Sequence, residues 1–90
     1  MSDAPAPPPD HWLGVLDRLL MEMVDQQHAK LLRLAREVVS DLTAEDLRNP
    51  QDFPQLSRDP QFNYEDGILA GLRSAHIAVR AELRRPRTEE

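Results

Sequence analysis

HWLGVLDRLLMEMVDQQHAKLLRLAREVVSDL, residues 11–42, contains no proline and no turn-forming pair, and its reading decides the fold. Leu13, Leu16, Leu20, Met23, Val24, Leu31, Ala35, Val38 and Leu42 recur at steps of three and four, with His28 on the same stripe. That period keeps residues on one side of an α-helix, so the stretch predicts an amphipathic helix. Asp10 precedes it as an N-cap, placing the helix over residues 10–42. Arg18, Glu22, Asp25, Gln26, Lys30, Arg33 and Glu37 form the polar side. Leu19, Leu32, Leu34 and Val39 widen the apolar side beyond what one partner helix covers.

Upstream lies APAPPP, residues 4–9, where each proline fixes its backbone and removes a donor. Residues 1–9 therefore read as an extended, solvated tail; Pro5 and Pro8 give a PxxP spacing without the basic flank of a groove ligand.

Downstream, residues 43–62 form a long connection. Thr43 and Asp46 have the spacing of a capped turn, Asn49-Pro50 ends it, and Pro54 opens a second short turn. From Asp41 to Asp66 seven acids face two arginines, a balance of -5 equal to the formal net charge of the whole chain. A connection this long folds on its own side chains or serves a function, and Phe53, Leu56 and Phe62 point to packing. A second helix follows over residues 63–85. Its start is set either by Asp59 capping ahead of Pro60 or by Asn63 capping with Asp66 three residues on. In either case Glu65 and Asp66 fall near its positive end. Its stripe runs through Ile68 or Leu69, Leu72, Ala75 and His76, Val79 and Leu83 to Arg84 and Arg85 before Pro86, and residues 86–90 form a C-terminal tail. Gly67 and Gly71, one turn apart, suggest close backbone approach, because glycine inside a helix otherwise costs up to about 1 kcal/mol.

The fold expected is all-α: an antiparallel hairpin of two long helices joined by an acidic loop. Setting Leu42 level with Tyr64 leaves the first helix overhanging the second by about ten residues at 1.5 Å rise each. Trp12, Leu13, Leu16, Leu19 and Leu20 would then be uncovered. A 90-residue chain has little core to spare, so a second copy is expected to cover them. The result is a homodimeric four-helix bundle, with Phe53, Leu56, Phe62, Gly67 and Gly71 completing the interface.

The same register brings His76 within a turn of His28, with Glu22, Asp25 and Gln27 nearby. Imidazoles and carboxylates on facing helices are how bundles hold metals, so His28, His76, Asp25 and Glu22 are the candidate metal or pH-sensing group. The commoner role for such histidines is an interior hydrogen bond.

The chain has no cysteine, which excludes disulfides and thiolate chemistry. Ser74 and His76 point about 200° apart around a helix, so no serine–histidine pair forms there. No glycine-rich phosphate loop occurs, and the loop acids lack calcium-loop spacing. No catalytic residue and no cofactor are expected. A net charge of -5 argues against nucleic acid, and the Arg-rich end RAELRRPRTEE is diluted by glutamates. No apolar run reaches the roughly 18 residues of a membrane span, and nothing resembles a signal peptide, so a cytoplasmic protein is expected. Arginine supplies 10 of the 11 basic residues, a usage typical of GC-rich bacterial genomes. The function expected is a non-enzymatic interaction or adaptor protein acting as a homodimer and meeting a further protein partner. Metal binding or pH sensing through the histidines is the alternative.

Overall fold

A computed structural model describes residues 9–86, and among them every regular element is helical. Helix α1 spans Pro9–Val38, a one-turn helix α2 spans Pro54–Ser57, and α3 spans Pro60–Arg84. Two short 3-10 turns, Asp46–Arg48 and Pro50–Asp52, fill the connection. The antiparallel hairpin is as the apolar periods require. Residues 1–8 and 87–90, most of both expected tails, lie outside the described residues.

Each boundary has a local cause. Asp10, the expected cap, falls inside α1, whose first described residue is Pro9. At the other end α1 stops at Val38, four residues before the expected Leu42. There the Arg36 guanidinium donates to the Leu42 carbonyl at 2.9 Å and holds the chain as it turns away from the axis. Thr43 and Asp46 make the anticipated reciprocal cap: the Asp46 N–H donates to Thr43 Oγ1 at 3.1 Å and the Thr43 N–H to Asp46 Oδ2 at 3.0 Å. Of the two possible starts for α3, the chain uses Asp59, whose Oδ1 accepts from the Phe62 N–H at 2.8 Å, with Pro60 at the first position. Asn63 instead donates its side-chain N–H to the Ser57 carbonyl at 3.0 Å, tying α2 to α3. Asp59→Ala is expected to cost about 1 kcal/mol through the lost cap, read as a lower urea midpoint, whereas Asn63→Ala should cost less.

Register departs from expectation. Across the hairpin, His76 pairs with Asp17 and Glu65 with Gln27, both at 2.8 Å. Facing residues thus have numbers adding to 93 and 92, where Leu42 level with Tyr64 requires 106. Helix α3 has slid about 20 Å along α1 relative to that alignment, at 1.5 Å per residue, so Arg84 is level with the first turn of α1. The expected overhang does not exist.

The connection causes the slide. It does not merely join the helix ends but climbs back along α1, tucking Leu42, Leu47 and Leu56 against Leu31 and Ala35, where Phe62 and Leu69 of α3 complete the core. Leu56 and Phe62 are 0% and 1% exposed. These two expected interface residues belong to the chain's own core, and Phe53 packs half-buried against it. Every large side chain in this core lies at the loop end of the hairpin.

Candidate interaction surface

With the register fixed, the two sides of the helix–helix seam differ. On one side Leu47 and Arg48 of the connection lean over α1 and α3. Together with Val24, Asp25, His28, Leu31, Asp66, Leu69 and Arg73 they line a groove of about 560 Å³. Its floor is apolar and its rim carries both signs of charge. Among the described residues, none of Asp25, Asp66, Arg48 and Arg73 joins an ion pair. Opposed charges around one rim favour no single ligand chemistry.

The other side has no loop over it. Met23, Gln27 and Lys30 of α1 and Ile68 and Leu72 of α3 line a shallow groove there. Trp12, Leu16, Leu19 and Met23 follow one another at spacings of four, three and four, so they share that flank of α1. They are 58%, 43%, 49% and 41% exposed. Ile68, Leu72, Ala75 and Val79 repeat the same spacing on the flank of α3 turned the same way. The result is a two-helix apolar face, and neither stripe carries a charge until Lys30 at one end and Glu82 at the other. Soluble monomers seldom leave such a contiguous patch open. Of the expected interface residues, Trp12, Leu16 and Leu19 stand on this face. Leu13 and Leu20 are half-buried toward α3. Gly67 and Gly71 are exposed, and a Cβ at either would meet nothing within 4 Å, so neither is a close-approach point within the chain.

Polar pairs set the register beneath this face. The His76 ring N–H donates to Asp17 Oδ1, and Arg80 Nε lies 3.5 Å from the same oxygen. One turn into α3, Glu65 is 7% exposed. The Gln27 amide donates to its Oε1 at 2.8 Å and to its backbone carbonyl at 3.0 Å, and Lys30 Nζ lies 3.2 Å from Oε2. Glu65 is therefore a bridge to α1 and not the helix-start acid the sequence suggested, because α3 begins at Pro60.

The Gln27 hydrogen bond, chiefly, holds the Glu65 carboxyl below its usual 4.5; burial opposes this and Lys30 adds to it. A carboxyl whose folded value is depressed stabilises the fold above its unfolded value and loses that contribution as pH falls through the folded one. Thermal melts at about pH 6 and about pH 3 should therefore show a larger acid-induced fall for the wild type than for Glu65→Gln. An equal fall in both would remove Glu65 as a source of acid sensitivity.

The candidate metal group does not assemble within one chain. His28 lies on the groove side, level with Glu65, while His76 is level with Asp17, eleven residues or about 16 Å away along α1. Glu22 is exposed. No group of three histidine or acid side chains among the described residues is placed to hold a metal ion. No described helix is long and apolar enough to cross a membrane. Comparison with known proteins finds no matching family model, and no significantly similar curated protein or solved structure.

Proposed function

We propose that the protein is a non-enzymatic interaction module that works by laying its two-helix apolar face against other helices, with a four-helix bundle of two chains as its working form. One observation carries this reading: the uncharged face built by Trp12, Leu16, Leu19 and Met23 beside Ile68, Leu72 and Val79. Burying a large apolar side chain is worth about 1.5 to 3 kcal/mol, so four half-exposed ones on α1 alone represent a strong drive to associate. The charged groups between the helices support a structural role, since Asp17, His76, Glu65 and Lys30 are engaged with one another across the hairpin. The groove behind, with its mixed charges, is the surface left for a further protein partner.

Light scattering of the purified protein tests the reading. The expected mass is twice the 10.3 kDa of one chain. Trp12 is the single tryptophan, so its fluorescence should be blue-shifted in the assembly and shift red on dilution. A mass of one chain at all concentrations, with a solvent-exposed tryptophan throughout, would refute the two-chain form.

A further inference from the structure

Burial divides the hairpin into two unequal parts. Every buried apolar side chain belongs to the span from Leu31 to Leu69. Among the described residues, none of α1 before Leu31 and none of α3 after Leu69 is buried. Val24 still packs against the core, and the register sets it level with Leu69. Beyond that level two arms remain, residues 11–23 of α1 and 70–84 of α3. Their residues along the seam, Leu13, Leu20, Leu72, Val79 and Leu83, are only half-buried.

Polar contact between the arms is equally thin. Among the described residues it consists of the His76 ring N–H donating to Asp17 Oδ1 at 2.8 Å, with Arg80 Nε 3.5 Å from the same oxygen. Both ties end on one carboxylate, so a single side chain clasps the arms. The loop-end half, by contrast, has Glu65 held by Gln27 and Lys30 beside the apolar core.

Gly71 stands where the α3 arm leaves that core, two residues past Leu69. It is exposed, and a Cβ there would meet nothing within 4 Å. Packing therefore does not call for a glycine, and a glycine inside a helix weakens it against unwinding. The α3 arm has its weak point at its base.

We infer that the two arms form a clasp-held unit that opens while the loop-end core stays folded, and that this opening switches the apolar face. Local opening costs less free energy where buried contacts are few. Helices of this length are marginal in water without a partner, so parted arms also unwind. Trp12, Leu16 and Leu19 belong to one arm and Leu72 and Val79 to the other, so the face exists only with the arms closed. Resting on the reading of that face as a docking surface, an occupant spanning both stripes holds the arms shut, and docking and closing are coupled.

Residue-resolved amide hydrogen exchange on the full chain tests this. At the lowest workable protein concentration, amides of residues 14–22 and 73–83 should exchange at least about tenfold faster than those of residues 31–36 and 65–69. The change should come as a step near Val24 and Leu69, with similar protection along each arm. Asp17→Asn keeps size and helix propensity but removes the charge of the clasp, and should speed exchange about fivefold in both arms while leaving the core amides unchanged. Gly71→Ala should slow it in both arms by up to about fivefold. Arms as slow as the core, a smooth gradient toward the helix ends, or an Asp17→Asn effect confined to α1 would each overturn the opening unit. Raising the protein concentration should slow exchange in the arms and not in the core. Arms that stay equally fast at every concentration overturn the docking reading and leave the opening unit standing.

Discussion

Replacing Phe62 by alanine is expected to leave most of the protein unfolded at room temperature, or to move its urea midpoint down by more than half. Phe62 is 1% exposed and sits where α3 begins, closing the cluster formed by Leu31, Ala35, Leu42, Leu47 and Leu56. Truncating a buried phenylalanine costs about 3 to 5 kcal/mol, because the transfer energy is lost and a cavity is left behind. Domains hold only about 5 to 15 kcal/mol in total, and a short chain lies at the low end. Collapse of neighbours into the gap is limited here, since α1, α3 and the connection all meet at this side chain and none can move without the others. Tyr64 is the internal control: two residues on, it is 68% exposed, and Tyr64→Ala should change stability by less than about 0.5 kcal/mol. Both melts must be run at equal protein concentration, because association adds to apparent stability. Similar losses for the two variants would mean the core is not centred where Phe62 places it.

The second large effect is on assembly. Leu19→Glu is expected to give a fully helical protein of single-chain mass, 10.3 kDa, at concentrations where the wild type is paired. The residue is 49% exposed within its own chain and glutamate is a good helix former, so the fold survives. Two-fold symmetry introduces the change twice. Each copy forfeits about 1.5 to 3 kcal/mol of apolar burial and places a carboxylate in the apolar face that the pair buries. At about 1.4 kcal/mol per decade, the doubled loss weakens pairing by at least about two to four decades. Met21→Glu puts the same charge on the same helix one turn-fraction away, on the flank that faces away from the proposed interface, and should leave the mass unchanged. If Met21→Glu dissociates the protein and Leu19→Glu does not, the docking side has been assigned to the wrong flank.

Much of the local structure was legible in order along the chain. The proline-free run with its steps of three and four required a long helix; Thr43 with Asp46, Pro54, and Asp59 ahead of Pro60 each marked a turn or helix start that the structure uses. Glu65 was misread because acids near a helix start have a ready explanation in the helix dipole. Its actual partners, Gln27 and Lys30, lie 38 and 35 positions away in sequence. The interface residues divide the same way. Trp12, Leu16 and Leu19 were recognisable as surplus apolar surface, and Leu56 and Phe62 as packing residues, but that these two close the chain's own core and not a dimer interface showed only once the connection was seen folded onto Leu31.

The residue order alone settled that this chain makes two long amphipathic helices in an all-α hairpin, because period and capping are local properties and each is written within a few positions. It could not settle how far one helix slides along the other. An apolar stripe that recurs about every seven residues looks nearly the same after a shift of two repeats, and the thirteen-residue difference in register is close to such a shift. The degeneracy was broken by Leu42, Leu47 and Leu56 packing the connection against α1 and by the Asp17–His76 and Gln27–Glu65 bonds. Those contacts join residues far apart in sequence. They alone separate His28 from His76, remove the overhang, and set the two apolar stripes side by side on one open face.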